Sequence, residues 1–87
     1  MKRVLKYELQ IQTSQKIEIK SHQILSVINQ GEKIMVYAIE SDDEQPLIHT
    51  FKIYGTGEVI PSTISKFNFL GTVSLQGGAV IVHVFYV

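Results

Sequence analysis

"VLKYELQIQ", residues 4–12, decides the fold class. Leu5, Tyr7, Leu9 and Ile11 occupy every second position, and Lys6, Glu8, Gln10 and Gln12 fill the places between. A period of two puts these sets on opposite sides of an extended strand, one toward a core and one toward water. Wound as an α-helix, the same four apolar residues would be split between two sides and make no single buried stripe.

The device recurs in both directions from this stretch. "KIEIK" (16–20) turns Ile17 and Ile19 inward. "ILSVI" (24–28) and "KIMVYAI" (33–39) flank Asn29-Gln30-Gly31-Glu32, a hairpin signal in which Gly31 supplies the left-handed conformation that the turn wants. "LIHTFKIY" (47–54) sets Leu47, His49, Phe51 and Ile53 on one face and Ile48, Thr50, Lys52 and Tyr54 on the other. "NFLGTVSL" (68–75) and "AVIVHVFYV" (79–87) are joined by Gln76-Gly77-Gly78, a second tight turn. The first half reads as a meander, "ESDDEQP" (40–46) as a solvated acidic loop closed by proline, and residues 58–66 as an irregular connection with one short helical turn. The expected fold is all-β: a small antiparallel sandwich or barrel of about seven strands in a single domain, residues 1–87.

Composition sets the limits. A chain of 87 residues buries only about 60 to 65% of its unfolded surface, enough for one core. With no cysteine it has neither disulfides nor thiolate metal ligands to add stability. Eight basic residues balance eight acidic ones, which argues against nucleic-acid binding driven by counterion release. No apolar run approaches the ~20 residues of a membrane helix, and no leader follows the Lys2-Arg3 start, so the expectation is a cytoplasmic protein with no membrane partner. The strand 79–87 is apolar on both sides; it is therefore either central to the fold or the interface of a homo-oligomer.

Few residues carry chemistry. Gly55-Thr56-Gly57 admits two readings: a structural turn, or a loop whose N–H groups and hydroxyl take an anion such as phosphate. His83, set among valines, needs a partner, either a backbone carbonyl in a core or interface or a ligand. Lys2, Arg3 and Lys6 beside Tyr7 form either a basic, aromatic binding corner or an edge strand protected by charge. His22 and His49 lack metal-ligand spacing, Asp42, Asp43 and Glu44 read as a solvated run, and no nucleophile motif appears. No metal, cofactor or catalysis is expected.

"MKRVLKYEL", "FKIYGTGEVI" and "FLGTVSLQGGAVIVHVF" together resemble a family of small phage and prophage proteins of unassigned function. The matching positions are Lys2, Arg3, Lys6, Tyr7, Tyr54, Gly55, Gly57, Gly71, Gly77, Gly78, His83 and Phe85; the chain departs at Leu5 and at Ile81 or Val82, where tryptophan is usual. The resemblance implies a phage context in a host cell, and with it counter-defence. Two classes of function follow. In one, the protein sequesters a small anionic ligand such as a signalling nucleotide, with Gly55, Thr56 and Gly57 on phosphate and Arg3, Lys6, Tyr54 and His83 supplying charge, stacking and hydrogen bonds. In the other it is an interaction module that inhibits a host protein, or a small virion component.

Overall fold

The alternation in residues 4–12 folds as an extended strand, β1 (Lys2–Leu9). The computed structural model describes residues 1–21 and 23–87, so the reading of His22 lies outside the described residues. Six more strands follow among the described residues: β2 (Ser14–Ile19), β3 (Gln23–Gln30), β4 (Lys33–Ser41), β5 (Leu47–Gly55), β6 (Asn68–Leu75) and β7 (Val80–Tyr86). Every pairing is antiparallel, and the strands form two sheets, β1-β4-β3 and β2-β5-β7-β6. Leu9, Ile34, Val36 and Ala38 from the first sheet meet Ile19, Phe51, Ile53, Val82 and Val84 from the second in one core. The two layers span 15 Å at the Cα atoms, which makes the fold a sandwich.

The expected meander is not what forms. β2 pairs with β5 in the facing sheet, while β1 and β3 both pair with β4. The reason lies in residues 10–13, which form an arch between layers in place of a two-residue hairpin turn. The Gln15 side chain accepts from the Gln10 N–H at 2.8 Å and donates to the Gln10 carbonyl at 2.8 Å, closing the arch on itself. The first strand consequently ends at Leu9, and Ile11, expected inside, is 65% exposed.

The β3–β4 hairpin turns at Gly31 and Glu32, both at positive φ (61° and 64°), the pair of conformations that a two-residue hairpin turn demands. Glu32 then joins this turn to its neighbour: its carboxylate accepts from the Gln76 N–H at 2.8 Å and from Asn29 Nδ2 at 2.6 Å, and Asn29 Nδ2 also donates to the Ser74 carbonyl at 2.9 Å. On that flank β3 runs beside β6. A Cβ at Gly71 would stand 3.0 Å from Val27 Cγ1, so the missing side chain is what lets the strands approach.

β7 is apolar on both sides because it is an interior strand, between β5 and β6. Val82 and Val84 face the core, and Phe85 on the outer side packs against Tyr54 and Phe69 at 6.2 and 5.3 Å between ring centroids. The chain thus covers most of this strand itself. β5 and β6 both run antiparallel to β7 and hence parallel to each other, so residues 56–67 must cross the sheet. The inner face is occupied by the core, and two observations put the crossing outside: Lys52 Nζ lies 5.9 Å from the Phe67 ring centre, and Tyr54, pointing outward, is only 4% exposed. The expected helical turn in this segment is a 3-10 helix, Ser62–Lys66.

Candidate functional site

Gly55-Thr56-Gly57 ends β5 in a β-turn. The Glu58 N–H donates to the Gly55 carbonyl at 3.1 Å, and Gly57 at the third position has φ +90°, a value that a side chain would resist. Two more of the loop's donors, the N–H groups of Gly55 and Thr56, are also engaged. The Gly55 N–H gives its hydrogen to Glu58 Oε1 at 2.9 Å, and the Thr56 N–H to the Ile81 carbonyl at 3.3 Å. A carboxylate of the chain itself therefore sits over the backbone where an anion was expected.

Thr56 reaches His83 instead. Its Oγ1 lies 2.8 Å from His83 Nε2, and Thr72 Oγ1 lies 3.0 Å from His83 Nδ1. A neutral imidazole donates through one nitrogen and accepts through the other, and a hydroxyl can match either role, so both ring nitrogens are satisfied. The carbonyl-bonded core histidine expected at 83 occurs at 49: buried His49 donates from Nε2 to the Ser21 carbonyl at 2.7 Å.

Tyr54, Gly55, Thr56, Gly57 and His83 thus come together at one end of the second sheet, with Tyr54 buried against Phe85. Arg3 and Lys6 do not join them. Both lie on β1 in the other sheet, and their odd and even positions put them on its opposite faces. Tyr7 shares the inward side with Arg3, and its hydroxyl donates to Glu40 Oε2. Burial, and then the Glu40 carboxylate, push the Tyr7 hydroxyl up to about 12. β1 is an edge strand, the position for which its lysines were alternatively read as protection.

Three connections, residues 10–13, 55–58 and 76–79, border an open groove of about 520 Å³. Its walls include Ile11, Ile53, Ala79, Val80 and Ile81, and Glu58 is the one charged side chain among the described residues that line it. Sequence reasoning missed Glu58 and Ile11. The spacing of three between Gly55 and Glu58 was the available signal for the first; nothing local marks the second, since only the arch turns it outward.

Among the described residues no three histidine, aspartate or glutamate side chains are grouped to hold a metal ion. No described helix is long and apolar enough to cross a membrane. No curated protein and no solved structure matches the chain. One family model does, over residues 1–87, and the chain accordingly belongs to the family of the domain of unknown function DUF7352.

Proposed function

We propose that this is a non-catalytic protein-interaction module that meets its partner at the groove between residues 10–13, 55–58 and 76–79. The observation that carries the reading is the lining: aliphatic side chains with Gln12, Thr13 and Thr56 among them, one carboxylate, and no lysine or arginine among the described residues. A phosphate there would face Glu58 with no cation to offset it, and the turn's own acid already holds the N–H of Gly55. The rim suits a protein surface. Ile11 and Ile81 in its walls are 65% and 40% exposed, and aliphatic groups gathered round a concavity are the usual ground for protein contact.

The similarity to small phage proteins would make the partner a host protein and the setting the host cytoplasm, with inhibition as the outcome. Sequestration of a signalling nucleotide is the competing reading. It would need charge from Arg3 and Lys6, which stand on the other sheet.

Purified protein is incubated with extract of phage-infected cells, recovered, and heat-denatured. The expected result is one host protein co-purifying at fixed stoichiometry and lost on Ile11→Glu, an exposed site where the substitution leaves the circular dichroism unchanged. A nucleotide released on denaturation without such a protein overturns the proposal in favour of sequestration, and recovery of neither overturns it as well.

A further inference from the structure

Four strands end the two sheets: β1 and β3 in one, β2 and β6 in the other. An end strand presents a row of unpaired N–H and C=O groups that another chain can use unless something covers or defends it. β3 and β6 run side by side and cover each other. β1 sets Lys2, Arg3 and Lys6 against the single carboxylate Glu8, and Lys33 Nζ already stands 3.7 Å from that carboxylate, so a second copy arriving there meets an excess of like charge. β2 has neither protection. Its outward charges are one lysine and one glutamate, Lys16 and Glu18, and neither is ion-paired among the described residues.

The register shows which groups β2 offers. The Ile53 N–H donates to the Thr13 carbonyl at 3.0 Å, so the odd-numbered residues turn their main-chain groups toward β5, and Ser14, Lys16 and Glu18 turn theirs to the free edge. The edge ends at Lys20, whose carbonyl accepts from the Ser41 N–H at 3.1 Å. A second copy added antiparallel must set outward residues opposite outward residues. Centred on Lys16 or on Glu18, such a pairing brings like charges face to face; centred on Gln15, it runs Glu18 onto the arch at 10–13. Centred on Ile17, it places Lys16 opposite Glu18 of the second copy and Glu18 opposite Lys16 of that copy.

From this geometry we propose that the protein forms a two-fold dimer in which β2 pairs antiparallel with β2 of a second copy, centred on Ile17. Each Lys16–Glu18 pair exchanges both main-chain hydrogen bonds and joins opposite charges directly across the strands, the cross-strand contact that stabilises a sheet. Ile17 packs on the core yet is only partly buried within one chain; at the centre of the dimer it meets its own copy in a non-hydrogen-bonded pair, where side chains stand closest. The contact is isologous, so it closes at two copies, and it joins the two four-stranded sheets into one. Interior β7 takes no part, and the inference is independent of the end groove.

The test is sedimentation velocity from micromolar to millimolar protein, since a contact between two short strands lies at the weak end of specific interfaces. Wild type is expected to shift reversibly from monomer to dimer as concentration rises. Lys16→Glu and Glu18→Lys each set like charges opposite one another and should weaken the dimer about 10-fold or more. The two single variants mixed in equal amounts should associate with each other, and the double variant Lys16→Glu, Glu18→Lys should recover the wild-type dimer. Both side chains are exposed, so the circular dichroism should be unchanged throughout. A wild type that stays monomeric at every concentration overturns the proposal, as does a dimer indifferent to the single reversals or one that the double reversal fails to restore.

Discussion

Among the described residues, the one whose chemistry the fold alters most is Tyr7. Its hydroxyl is held neutral by burial and by the Glu40 carboxylate, with the pKa raised from 10.0 to about 12. An unfolded Tyr7 ionises first as pH rises, so this contribution to stability is complete below pH 10 and is lost between there and about 12. Urea midpoints measured against pH should therefore fall over that window in wild type, and Tyr7→Phe should remove this part of the fall while costing about 1 kcal/mol at neutral pH. A Phe variant with an unchanged alkaline slope would contradict the assignment. Nothing in "VLKYEL" announces this pair, because Glu40 lies 33 residues away and meets Tyr7 only through the β1–β4 register. The turn at Gly55-Thr56-Gly57 was legible, because positive φ and a short return are local needs. Its engagement with Glu58 and His83 was not, since His83 arrives from a strand 27 residues on.

At the scale of elements, alternation and turn chemistry predicted the hairpins at 29–32 and 76–78, and both form. The β3–β6 flank had no such signal. Gly71 reads in sequence as a weak point in a strand, and the sandwich uses it as the contact with Val27. Its φ is ordinary, so the cost of Gly71→Ala is steric: a Cβ at 3.0 Å from a buried, branched side chain should destabilise by about 1 kcal/mol, the overpacking strain exceeding the entropy gained by removing a glycine. Combined with Val27→Ala the same substitution should become neutral or stabilising, giving a coupling of about 1 kcal/mol in a double-mutant cycle. Strict additivity of the two changes would show that the strands do not touch there. The arch at 10–13 is the element the pattern misjudged: Gln10 and Gln12 continued the alternation, but the Gln12 N–H turns back on the Gln10 carbonyl and the reciprocal Gln10–Gln15 bonds close the arch.

The whole molecule rests on one core, with Phe51 at its centre, fully buried between the sheets. A domain of this size has a margin near 5 kcal/mol, and Phe51→Ala should remove about 3 to 5 of it by leaving a cavity. Thermal melts should show a single transition in wild type and little folded protein in the variant; a variant melting within a few degrees of wild type would mean that the two layers are stabilised separately. By itself the sequence determined what repeats over a few residues: strands from the period of two, turns from glycine and asparagine, and no disulfides from the absence of cysteine. Those are properties of the local backbone and of bulk composition. Only the tertiary structure decided which strands pair, that β2 crosses to the other sheet, that β7 is interior, and that Arg3 and Lys6 stand apart from Thr56 and His83. Strand pairing depends on contacts far apart in the chain, and many pairings satisfy the same alternation equally well. The choice among them comes from closing one core with no apolar face left over, a condition that no single segment contains.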